Sequence, residues 1–194
     1  MAGATRMCAI SLLLLGGGSL SAQGSIQRED SGRVVVLPDS AMPHALTRCS
    51  RGGPTGVSGF WRPSPADVAA AEDAVDRTLT RALDSVIARD TAGHREWLDR
   101  PRTSWSDEYY RQYVGLRYRD GRRTIYINGL AAGWPRELSD RVGQSEAAGS
   151  HPYAKPDWWR FIAAHVCDGG EFFFGAEYDP VSKRVLSFQF NTRA

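Results

Sequence analysis

"HVCDGGEFFFGAEYD" (residues 165–179) sets a cysteine and an acid before two glycines and three consecutive phenylalanines. Read as sheet, it predicts the middle of a three-strand meander with strands near Phe161–Cys167, Glu171–Tyr178 and Arg184–Phe190. A three-residue loop at Asp168-Gly169-Gly170 sets Val166 opposite Phe172, Ala164 opposite Phe174 and Ile162 opposite Ala176. A five-residue loop at Asp179–Lys183 sets Phe172 opposite Phe190, Phe174 opposite Phe188 and Ala176 opposite Leu186. Side chains alternate between faces along a strand, so both registers gather the same residues on one apolar face. The opposite face carries His165, Cys167, Glu171, Phe173, Glu177, Ser187 and Gln189.

Upstream, "YVGLRYRDGRRTIYI" (113–127) predicts a hairpin around a two-residue Asp120-Gly121 turn, with Leu116 facing Ile125 and Val114 facing Ile127. Before it, "SPADVAAAEDAVDRTLTRALDSVIARD" (64–90) predicts the long helix. Ser64 is a good N-cap, Pro65 suits the first helical position, and Asp67 completes a capping-box pattern. Val68, Ala71, Val75, Leu79, Ala82 and Val86 recur at spacings of three and four, with Asp73, Asp76, Arg77 and Asp84 opposite. "RVVVL" (33–37) reads as a short edge strand that Pro38 stops, and "CSRGGPTGVSG" (49–59) as a loop. Residues 129–155 form a long connection, either a functional loop or one hiding a helical turn or two in "WPRELSDRV".

These elements assemble into an α+β domain: one long amphipathic helix on a curved antiparallel sheet, made of a hairpin plus a three-strand meander. The order resembles cystatin-like or NTF2-like (nuclear-transport-factor-like) folds in topology. "QYVGL" (112–116) is similar to the Q-x-V-x-G protease-binding loop of cystatins, with Gly115 one position early. It falls where a strand is expected rather than a hairpin tip.

The start of the chain speaks to compartment. "MAGATR" is short and basic, "MCAISLLLLGGG" is apolar but too short to span a bilayer, and "SLSAQ" supplies small residues for cleavage near Ala22. The expected division is a signal peptide over 1–22, an extended segment and loop over 23–62, and a single domain over 63–194. The mature chain is then extracytoplasmic, secreted or periplasmic, with no membrane span. Cleavage removes Cys8 and leaves Cys49 and Cys167, an even pair in an oxidising compartment, which reads as a disulfide. Closing a loop of more than a hundred residues contributes about 4–5 kcal/mol in the chain-entropy model. The alternative is a nucleophilic Cys167 with His165 on the same strand face, which leaves Cys49 unexplained.

Formal charge is +2, and of 24 basic residues only Lys155 and Lys183 are lysine. The arginines are dispersed among 22 acids without a basic block, which argues against nucleic acid as a partner. No P-loop, dinucleotide fingerprint, H-E-x-x-H or G-x-S-x-G pattern is present. His44, His94, His151 and His165 lack zinc-ligand spacing. Asp168, Glu171, Glu177 and Asp179 read as solvated turn acids ahead of a calcium site. Trp158-Trp159 and Tyr109-Tyr110 read as core or loop anchors ahead of a ligand platform. No catalytic, cofactor or metal residue is therefore assigned. The expectation is a non-catalytic module for an unidentified ligand or protein partner. The alternatives are a small enzyme, with His165 and Glu171 or Glu177 as acid–base pair, and an envelope assembly protein.

Overall fold

The computed structural model describes residues 32–47, 50–93, 104–143 and 151–193. The expected leader, Cys49 and His94 lie outside them. Among the described residues the fold is a mixed six-stranded sheet with two helices. Strands β3 (Tyr109–Tyr118), β4 (Arg123–Ala131), β5 (Phe173–Asp179) and β6 (Arg184–Phe190) form an antiparallel meander. The free edge of β3 takes two short strands, β1 (Val34–Val36) in parallel and β2 (Val57–Trp61) antiparallel. Helix α1 (Pro65–Arg89) covers one face, and α2 (Trp134–Gly143) lies beyond the end of β4. No helix among the described residues is long and apolar enough to cross a membrane.

Helix α1 begins as its sequence dictates. Ser64 Oγ accepts from the Asp67 amide and the Asp67 carboxylate accepts from the Ser64 amide, a complete capping box; such caps contribute about 1 kcal/mol. The buried stripe is Ala71, Ala74, Val75, Leu79, Leu83 and Ile87. From Leu79 it follows the i+4 row to Leu83 and Ile87, not the expected Ala82 and Val86, because branched side chains of greater volume fill the groove. The stripe packs on Tyr113, Ile125, Ile127, Phe174, Ala176 and Tyr178.

One polar bridge crosses this interface. Arg111 is 3% exposed, and its Nε and Nη2 donate to the two oxygens of Glu72 at 2.7 and 2.8 Å. Tyr113 donates its hydroxyl to the same carboxylate, and Arg111 Nη1 donates to the Tyr109 carbonyl at 2.6 Å. A buried pair of this kind stands only when the remaining donors are also matched, as they are here.

Three register expectations are corrected. In the β3–β4 hairpin Leu116 faces Thr124 and Gly115 faces Ile125, one residue from the expected pairing. The loop is Arg119-Asp120-Gly121: the Tyr118 amide bonds the Arg122 carbonyl at 2.9 Å and Gly121 takes φ +85°. One extra loop residue puts Val114 and Leu116 on the opposite face from Ile125 and Ile127. In the β5–β6 hairpin Phe174 faces Phe190 and Ala176 faces Phe188, with a bulge between Glu177 and Tyr178. That is a slip of two from the expected register, so facing is kept, but Leu186 leaves the core and is 46% exposed.

The third correction concerns the meander's first strand. Residues 161–167 form no strand. Both edges of β5 are taken, by β4 and β6, so no ladder is open to them. The segment instead crosses the second sheet face as a strap. Gly169 and Gly170, at φ +92° and +55°, turn it into β5. Phe172, expected in the core, lies on that turn and is 45% exposed. The long 129–155 connection contains α2, a helix of 10 residues. The segment expected as extended also supplies β2, where Trp61 pairs with Gly115 and donates Nε1–H to the carbonyls of Leu116 and Thr124.

Gly129 faces α1 with the Phe174 ring laid over it; a Cβ there would come within 2.1 Å of the ring. Gly129→Ala should therefore destabilise by about 1–3 kcal/mol, the usual range for overpacking. Gly133→Ala, where a Cβ meets nothing within 4 Å, serves as the control in urea denaturation. Equal midpoints for the two variants would contradict this packing.

Candidate functional site

The second face of the sheet is covered by irregular chain. Leu37, Met42 and Ala45 pack on Val114, Leu116 and Tyr126. Trp158, Trp159 and Ala164 of the strap pack on Leu130 and Phe173. Phe173, the phenylalanine of the triplet expected to point away from the helix, does so and meets the Trp134 ring edge-on at 5.1 Å. Trp158 and Trp159 are buried as anchors, and the Tyr110 ring lies against Trp159, tilted by 46° with centroids 4.4 Å apart.

Irregular cover brings unpaired backbone groups, and sheet carboxamides satisfy them. Gln112 donates to the carbonyls of Trp159 and Ile162 at 2.6 and 2.7 Å and accepts from the Ala164 amide at 2.9 Å. Asn128 donates to the Ala164 carbonyl and to Gln112 Oε1, both at 2.9 Å. Asn191 donates to the carbonyls of Val166 and Asp168 at 2.8 and 2.9 Å. Arg51 then closes the row, donating to the side-chain oxygens of Asn128 and Asn191 and, at 3.3 Å, to the Tyr126 hydroxyl. "QYVGL" lies inside this core, with Gln112 and Leu116 fully buried, so it is no exposed binding loop.

Beside Arg51 the loop 52–55 (the lid) lines one side of a half-open cavity of about 300 Å³. Its walls include Tyr118 from β3, Tyr126 from β4, Glu177 from β5, and Ser187 and Gln189 from β6. The Gly52 amide donates to Gln189 Oε1 at 2.8 Å and pins the lid to the β6 side. Gly175 forms part of the floor: a Cβ there would lie 2.3 Å from the Tyr126 hydroxyl and 2.6 Å from Arg51 Nε. Only glycine leaves room for both.

Glu177 and Arg122 are the charged groups that line this cavity, and Glu177 is 9% exposed. The Tyr118 hydroxyl and Thr124 Oγ1 both donate to its Oε1, at 2.6 and 2.8 Å. Among the described residues no group donates to Oε2 and no cation pairs with the carboxylate. Burial, and then the bond to Glu177, push the Tyr118 phenol up to about 12. Arg122 sits at the rim with its guanidinium 4.2 Å from the Tyr118 ring centre.

A second cavity of about 300 Å³ lies at the end of α1, lined by Val86, Arg89, Glu171 and Arg193 among others. Its acid Glu171 already pairs with Arg193 at 2.8 Å. The two acids weighed as partners of His165 thus lie in different cavities, and exposed His165 lines neither. Asp168, Glu171, Glu177 and Asp179 do not converge; no group of three His, Cys, Asp or Glu able to hold a metal occurs among the described residues. Cys167 is not a free thiol, which removes the nucleophile alternative. The strand pattern placed Glu177, Ser187 and Gln189 on one face; Tyr118 and Thr124 were missed because the hairpin register was one residue off. No protein-family model, curated protein or solved structure matches the chain.

The Tyr118–Glu177 contact makes its own prediction. A tyrosine raised from 10.0 to about 12 favours the native state below pH 10, and that stability is lost as pH rises through this window. In Glu177→Gln the Tyr118 pKa should fall, since the carboxylate's charge no longer opposes phenolate. A ring-selective NMR titration reads this directly, and an unmoved Tyr118 would mean that the two groups are not in contact.

Proposed function

We propose that this chain is an exported, disulfide-tied domain that binds a small polar ligand under the 52–55 lid and performs no chemistry on it. The observation that carries this reading is the Glu177 carboxylate, 9% exposed, in a half-open cavity of about 300 Å³, the lower end of small-molecule sites. Its lining is mostly polar, with Thr55, Arg122, Glu177, Ser187 and Gln189 beside the rings of Tyr118 and Tyr126, which suits a small polar ligand. The acid–base alternative is weaker. A phenol held near 12 is far from the range in which general acids and bases work well, and exposed His165 lines neither cavity.

Export rests on the basic, apolar and small-residue order of residues 1–22. The disulfide rests on placement: Asn191 holds the carbonyls on either side of Cys167, and Arg51, two residues from Cys49, donates to the same Asn191. The lid and the strap therefore meet where the two sulfurs are expected. One long helix followed by a four-strand meander supports a cystatin-like or NTF2-like assignment of the architecture.

Two measurements test this reading. Non-reducing peptide mapping of material recovered outside the cytoplasm should yield a Cys49–Cys167 linked peptide; two free thiols would remove the tie. Native mass spectrometry after exposure to a small-molecule extract of the producing cells should show an adduct on wild type that Ser187→Trp, which plugs the cavity mouth, lacks. No adduct on wild type, or one that survives the plug, would refute the cavity as a binding site.

A further inference from the structure

The geometry points to the class of ligand: we infer that Glu177 Oε2 anchors a small organic cation with N–H donors, a primary ammonium. This rests on the cavity being a binding site and adds what it selects. A buried carboxylate incurs a desolvation cost that is offset only by matched partners. Elsewhere the fold meets this rule with a cation: Glu72 takes a bidentate Arg111, and Glu171 takes Arg193. Glu177 is buried like them, yet its two partners are neutral hydroxyls, both on Oε1.

The nearby guanidinium groups do not supply the missing charge. Arg51 is engaged by Asn128, Asn191 and the Tyr126 hydroxyl. Arg122 is 47% exposed, sits over the Tyr118 ring and lies 3.9 Å from Asp120. What remains is an oxygen without a protein donor that is open to the cavity, flanked by the rings of Tyr118 and Tyr126. An ammonium there gains a charge-assisted hydrogen bond and contact with electron-rich ring faces. Tyr118 and Thr124 hold Oε1, so the carboxylate cannot rotate away from the incoming donor.

The test uses n-butylammonium, n-butanol and butyrate, probes of matched length and different charge, titrated into the folded chain by NMR. Butylammonium should bind at least tenfold tighter than either comparator, with shifts at Glu177 and Tyr118. Glu177→Gln, which keeps the shape and the Tyr118 and Thr124 contacts, should weaken it tenfold or more. A folded amide spectrum for Glu177→Gln separates loss of charge from loss of fold, and Val181→Ala, 88% exposed and outside the cavity lining, should retain binding within a few-fold. Butanol or butyrate binding as tightly as butylammonium, or a Glu177→Gln variant that binds it unchanged, would overturn the inference. If Ser187→Trp still abolished that uncharged or anionic binding, the cavity would stand as a site and only the cation preference would fall. If none of the three probes binds, the ammonium preference falls, and the extract experiment decides the cavity separately.

Discussion

A central sheet with both faces covered needs two covers, and only one of them is a helix. The other is irregular chain, whose backbone donors and acceptors have no ladder to join. Gln112 on β3, Asn128 on β4 and Asn191 just past the end of β6 supply the missing partners from below. A carboxamide both donates and accepts, so it can bond an amide and a carbonyl of a crossing chain together. Burial in the low-dielectric interior makes each such bond hard to give up, because an unmatched group there costs more than the bond itself contributes. Arg51 joins the row from above and so carries the lid to the same place. Strap, lid and cavity all follow from this row of side chains.

The two faces also treat buried charge differently. Under α1 the carboxylate of Glu72 meets a guanidinium and a phenol, and helix and sheet are clamped in one register. Across the sheet Glu177 meets only hydroxyls. The first arrangement is closed, with the carboxylate and guanidinium each matched several times. The second keeps one oxygen in hand, under a lid held by a glycine amide and a glutamine.

The sequence reading succeeded where a local rule had a single solution. Ser64, Pro65 and Asp67 admit one helix start, and Gly121 marks a turn whichever loop length is used. Val34–Val36 before Pro38 reads as an edge strand and is one. It failed where two answers satisfied the same pattern. In β3 every residue from Arg111 to Leu116 is buried, so no wet face signalled which neighbour Ile125 should have, and a one-residue slip cost nothing on paper. The segment 161–167 alternates like a strand in sequence, yet its neighbours Ala163 and Ala164 are both buried, and whether it pairs depends on whether an edge is free.

Local chemistry along the chain determined the helix and its cap, the turn glycines, and the facing of Glu177, Ser187 and Gln189. Those properties depend on residues within a few positions of one another, which is where steric and hydrogen-bonding preferences act. Tertiary structure alone decided that Gln112, Asn128, Asn191 and Arg51 form one row, and that Tyr118 and Thr124 hold Glu177. These partners are up to 140 residues apart. Their meeting is set by which strand edges are occupied and which face remains to be covered, a constraint of the whole sheet that no single stretch of sequence contains.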